Sequence, residues 1–150
     1  MDATIRPVER RDAFALAALR IQQDREAGHI PRDGFLTDYA DAFLQTFDRY
    51  RGWLAELPDG DPAGCLLALR VRKLPTLTQT RPEWWYVQQV FVASAFRRQG
   101  IGAALMTAVQ RTARDEGVRW LELRSSDAGR PLFESAGFTT PSPRVMQWTP

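Results

Sequence analysis

Residues 87–106 read VQQVFVASAFRRQGIGAALM, and the succession of residue types in this stretch decides the fold. A β-type run at residues 87–92 passes through a short connector to Arg97 and Arg98, then to a turn holding Gly100 and Gly102, then to the start of an amphipathic helix. The spacing predicts a strand, a turn and a helix in that order. Glycines lack the Cβ that would keep a ligand off the backbone, and the first N–H groups of a helix have no partner inside it. The helix dipole favours negative charge at that end, so the turn suits a phosphate. Arg97 and Arg98 place fixed positive charge beside it.

Working outward, the chain of 150 residues is expected to form a single domain over residues 1–150. A hydrophobic content of 44% with scattered aromatics excludes a disordered chain. No apolar run approaches the ~20 residues of a membrane span, and the opening MDATIRPVERRD has no signal-peptide core. A soluble, cytoplasmic protein without a membrane partner is therefore expected. Cys65 is the only cysteine and lies in the apolar run CLLAL, where a buried, inert thiol is expected and an internal disulfide is impossible. His29 is likewise alone, so no metal site is expected. The net charge of +2 comes from arginines spread along the chain among acids, with Lys73 the only lysine. No like-charge block forms, and a nucleic-acid partner is not expected.

Taken in order, residues 4–8 (TIRPV) predict a short strand, after which Asp12 caps a helix with Phe14, Ala17, Ala18 and Ile21 on its apolar face. Residues 28–34 (GHIPRDG) form a loop, and Thr37 or Asp38 caps a second helix to about Arg49, with Tyr39, Phe43, Leu44 and Phe47 on one side. Residues 51–57 and 63–73 read as strands joined by the PDGDP turn, and residues 83–92 as a third long strand after a flexible connection. The helix after the glycine turn closes at Gly117, and residues 118–124 alternate as a strand with Trp120, Glu122 and Arg124 opposite Leu121 and Leu123. A short helix at residues 130–136 and a last strand at residues 144–148 (RVMQW) complete the order β-α-α-β-β-β-α-β-α-β. This is an α/β, or mixed α+β, pattern.

Arg97-Arg98-Gln99-Gly100-Ile101-Gly102 resembles the R/Q-x-x-G-x-G/A signature of the GNAT superfamily of acyl-CoA-dependent N-acyltransferases, behind a strand ending in Val90-Phe91-Val92. Residues 129–138, GRPLFESAGF, resemble the family's A-x-x-L-Y-E-x-x-G-F segment. The resemblance covers essentially the whole chain. It implies a central, mostly antiparallel twisted sheet of about six to seven strands, flanked by about four helices and splayed at the cofactor strand. It also implies acetyl-CoA as cosubstrate: the backbone of Val90, Phe91 and Val92 along its pantetheine arm, and the N–H groups from Arg98 through Gln99, Gly100, Ile101 and Gly102 to Ala103 around its pyrophosphate. Ser126 or Asp127 falls where many members hold an asparagine against the cofactor arm. A dinucleotide fold fits less well, because Leu105 stands at its third glycine position and seven residues separate Val92 from Gly100.

The same resemblance places Phe133 where the family commonly has the tyrosine that protonates the departing thiolate. Phenylalanine has no proton to give, and a general acid contributes ~10²- to 10⁴-fold. A thiol with a pKa of about 8.5 is already a tolerable leaving group. Water, Ser126 or Tyr86 could stand in. A primary ammonium must also lose its proton before attack, which calls for a carboxylate or a water relay. Glu122 is the first candidate, in an L-E-hydrophobic-R context like that of some family members. Glu83 is the second, and Gln88 could position a water. Glu122 could equally be a strand carboxylate paired with Arg119, Arg124 or Arg130. Direct attack in a ternary complex is expected, on a small-molecule or peptide amine, with homodimerisation possible. The competing expectation is a non-catalytic acyl-CoA-binding or regulatory module. Trp84, Trp85 and Tyr86 read either as core packing or as an aromatic wall for a substrate.

Overall fold

A computed structural model describes residues 2–141 and 143–150; Met1 and Ser142, the latter within the expected proline-interrupted tail loop, lie outside them. Nine of the ten expected elements are present in the expected order: β1 (Thr4–Pro7), α1 (Ala13–Glu26), α2 (Phe35–Gln45), β2 (Tyr50–Glu56), β3 (Pro62–Arg72), β4 (Glu83–Val92), α3 (Ile101–Asp115), β5 (Leu121–Leu123) and α4 (Arg130–Ser135). The sheet runs β1-β2-β3-β4-β5. Its first four strands are antiparallel, and β5 lies parallel to β4.

The expected count of six to seven strands is corrected to five among the described residues. The difference lies in the tail. Residues 143–150 form no strand, and Val145, Met146 and Trp148 are exposed. Alternation gives a segment strand propensity, but a strand also needs an edge to bond, and the tail meets none here.

Two cores sandwich the sheet. On one face α3 and α4 cover Trp53, Leu66, Ala68, Trp85 and Val87, and on the other α1 and α2 cover Leu54, Cys65, Leu67 and Phe91. The expected apolar side of α1 is only partly the buried one: Ala17 is fully buried, but so are Leu16 and Leu19, while Phe14 is 56% exposed. Asp12 does not cap α1 either. Its carboxylate accepts the Glu9 N–H at 2.7 Å and pairs with Arg6 at 2.8 Å, and Arg6 also reaches Glu56 of β2. This ties the strand and helix at the chain's start to the sheet. The Arg6 hydrogen bond, against the cost of burial, holds the Asp12 carboxyl below the usual range. α2 begins earlier than expected because Gly34, at φ +76°, turns the chain into it, and it ends at Gln45 before a short 3-10 turn.

The feature that shapes the site lies inside β4. Leu67 pairs with Gln89 but Ala68 pairs with Val87, which leaves Gln88 as the extra residue of a β-bulge. The bulge switches the faces. Before it, Trp85 and Val87 point to α3; after it, Phe91 points to α1 and α2, and Val90 and Val92 pack toward α3. Pairing with β5 ends at Val87↔Leu123, so residues 88–92 hold β3 on one edge only. The splay expected at this strand is present.

Candidate active site at the open edge of β4

The open half of β4 leads directly into the glycine turn. Arg98 has φ +60° and Gly100 φ +84°, a succession of left-handed residues that turns neighbouring N–H groups to one side. Ala104 donates the first helical hydrogen bond of α3, to Gly100 at 3.0 Å. Among the described residues no acceptor takes the N–H groups of Arg98, Gln99, Gly100, Ile101, Gly102 or Ala103. Six donors at a helix start, beside an exposed Arg98, make a cradle with the chemistry of a phosphate site.

The two glycines act differently. A Cβ on Gly100 would meet nothing within 4 Å, so its role is the positive φ. A Cβ on Gly102 would stand 3.1 Å from Leu132 Cδ2, so its bareness lets α4 pack on α3. The two arginines also part company. Arg97 turns inward: its Nε donates to the Val92 carbonyl at 2.8 Å, its guanidinium pairs with Glu26 of α1, and it lies 5.6 Å from the Phe91 ring centre. Arg98 forms no ion pair among the described residues.

Around the bulge stands a set of polar side chains, of which the sequence reading singled out only Gln88, as a residue that could position a water. Tyr50 donates to Gln88 Oε1 at 3.3 Å, and buried Gln89 donates to Gln23 Oε1 of α1 at 3.0 Å. The signal was there in the doublet Gln88-Gln89, which breaks an alternating aromatic and valine strand where the extra residue enters.

The two carboxylate candidates are separated by the strand. Glu83 lies at the far end of β4, where its carboxylate accepts Arg70 Nε at 2.7 Å. Burial pushes that carboxyl up, and the hydrogen bond and charge of Arg70 more than reverse it, leaving it below its ordinary value. The buried Trp85 indole N–H adds attraction without meeting hydrogen-bond geometry. A carboxylate so stabilised is a poor base. Glu122, by contrast, stands opposite Tyr86 one pair short of the opening, exposed and without an ion pair among the described residues. Two of the three alternative partners are engaged elsewhere, Arg130 with Glu134 at 2.6 Å and Arg119 over Trp120, and Arg124 forms no ion pair among the described residues. Tyr86 is half-buried on the same face as Glu122.

Phe133 and Ser126 border the opening from the opposite face. The Phe133 ring packs 6.2 Å from that of Phe138 and against the core under α3. Ser126 Oγ accepts the Gly129 N–H at 3.2 Å. A Cβ at Gly129 would stand 3.1 Å from Phe133 Cε2 and 3.3 Å from that Oγ, so the bareness of Gly129 lets the ring and the serine both pack against this turn. The hydroxyl keeps its proton available to donate. Asp127 is exposed nearby. Cys65 is fully buried, and burial pushes its thiol up to about 12.

The sheet is opened along one strand, and that strand leads into a helix-start cradle of unpaired N–H groups. The chain belongs to the acetyltransferase (GNAT) family, whose model matches residues 17–138. Solved structures agree in fold. A predicted acetyltransferase of Clostridium acetobutylicum, solved with acetyl-CoA, is similar with a TM-score of 0.81 at 17% identity, covering 98% of this chain and 96% of that one. A GCN5-related N-acetyltransferase of Ralstonia eutropha JMP134 is similar with a TM-score of 0.75 at 23% identity, covering 98% of each. A ribosomal-protein-alanine N-acetyltransferase of Brucella melitensis biovar Abortus 2308 gives 0.74 at 23% identity, covering 99% of this chain and 100% of that one. A comparison with curated proteins gives no match. No helix among the described residues is long and apolar enough to cross a membrane.

Proposed function

We propose that the chain transfers the acetyl group of acetyl-CoA to a primary amine by direct attack within a ternary complex. The observation that carries this reading is the continuity of the unpaired edge of β4 with the N–H cradle at residues 98–103. Backbone groups of Val90, Phe91 and Val92 would hold the pantetheine arm as an added strand, and the cradle with Arg98 would hold the pyrophosphate. When bound, acetyl-CoA supplies the acyl group as a thioester. Glu122 takes the ammonium proton of the acceptor, directly or through water. Ser126 offers a proton on the other face, in the role Phe133 does not fill. An acyl-enzyme route through cysteine is disfavoured, since the only thiol is buried on the α1 and α2 side with its ionisation suppressed.

The test pairs calorimetric titration of acetyl-CoA with thiol release across a panel of amines. Glu122→Gln should leave cofactor affinity in place and lower kcat by ~10²-fold or more. A second reading, an acyl-CoA-binding regulatory module, draws on Phe133, whose ring is committed to packing against Phe138. Tight acetyl-CoA binding with no thiol release on any amine would favour it, and failure to bind acetyl-CoA or CoA would defeat both.

A further inference from the structure

The sheet face that carries Glu122 is only partly roofed. α1 and α2 cover Leu54, Leu67 and the open half of β4, but Leu69, Val71, Trp84, Tyr86 and Trp120 belong to neither core. Register places Leu69 opposite Tyr86, Val71 opposite Trp84, and Tyr86 opposite Glu122, so all share this face. Trp120 lies just before β5, its carbonyl accepting the Trp85 N–H at 3.1 Å. The rings of Trp84 and Trp120 stack at 5.6 Å with 13° between their planes, and Trp120 is 43% exposed. Glu122 stands two residues further along, about 7 Å by strand rise.

We infer that this face is the acceptor site and that it takes a primary amine with a flat apolar body and a single positive charge; the inference rests on the N-acetyltransferase reading above. The stacked indoles form a shelf for the apolar body, and Glu122 receives the ammonium within a short spacer's reach. Arg119 lies 5.5 Å from the centre of the Trp120 ring, a cation already beside the shelf that a second positive charge would meet. The charges bordering the face favour one cation and disfavour a second. In sequence Glu122 lies between Arg119 and Arg124, and the hollow beside Leu69 and Val71 is bordered by Asp48, Arg49, Arg70 and Arg72, with Arg70 and Arg72 sharing Glu83. Polyamines and basic peptides would leave a cation against arginine.

Ligand-observed NMR with the CoA-saturated protein and with the protein alone compares phenethylamine, spermidine and an alanine-first hexapeptide. Phenethylamine should bind about tenfold tighter than spermidine or the peptide. Trp120→Ala should bring the three close to parity, and Trp120→Phe should restore the preference. Equal or tighter binding of spermidine or peptide overturns the inference, as does a preference that survives Trp120→Ala. Conversion of a dimer to a monomer by Trp120→Ala, seen by light scattering, also overturns it, because the shelf would then join two copies. The ranking is read from binding alone, so it stands or falls separately from thiol release, which decides the acetyltransferase reading.

Discussion

Residues 83–87 (EWWYV) and 88–92 (QQVFV) belong to one strand, and one bulge makes them different surfaces. The first half is bonded on both edges and carries Trp85 and Val87 in the α3 core. The second half is bonded to β3 alone, reverses its facing, and ends at the phosphate-type turn. A closed edge gives rigidity, and an open edge leaves backbone donors and acceptors unspent, here apart from the Val92 carbonyl that Arg97 takes. The contrast shows how a strand can be framework and binding surface at once, with a single extra residue as the boundary.

Deleting Gln88 attacks that boundary directly. It should leave Val87 opposite Ala68 and Gln89 opposite Leu67 in an unbroken ladder, so Phe91 and Val90 keep their faces while the local kink is lost, and acetyl-CoA should bind at least about tenfold more weakly by calorimetry. Unchanged affinity would dissolve the distinction between the halves. Gly64→Ala presses on the open half alone, since its Cβ would stand 2.6 Å from the Phe91 carbonyl oxygen. The expected loss is about 2–3 kcal/mol by thermal unfolding, with weaker acetyl-CoA binding as β4 shifts.

Glu83→Gln sharpens the comparison from the closed half. It should cost about 1–2 kcal/mol at neutral pH while leaving kcat within about twofold. The folded carboxyl lies below its ordinary value, so the Arg70 pair stabilises the fold above the unfolded pKa of about 4.3. That contribution is lost as pH falls through the folded value, so the variant and the natural chain should converge in acid. A large fall in kcat instead would move the base to the wrong end of the strand.

Much of the fold was legible because its signals are local. β4 was read to the residue, since Pro82 precedes an aromatic and valine run that stops at Ala93. Gly100 and Gly117, both at positive φ, marked turns as expected. What stayed illegible depends on partners. The AFALAALR segment of α1 is apolar almost all round, so its buried phase could not be set before α2 and the sheet were in place. Glu83 and Glu122 are both strand carboxylates in sequence, and only register and the approach of Arg70 separate them. Arg97 and Arg98 read as a pair, until Glu26 and the Val92 carbonyl claim one of them.

The burial of Cys65 reaches beyond packing. The chain has one cysteine, fully enclosed, with its ionisation pushed up to about 12. Thiol-directed chromophores at neutral pH therefore find no reactive sulfur on the native protein. The protein is spectroscopically silent in any assay that counts released CoA, and sulfur that begins to react without substrate reports loss of the native fold.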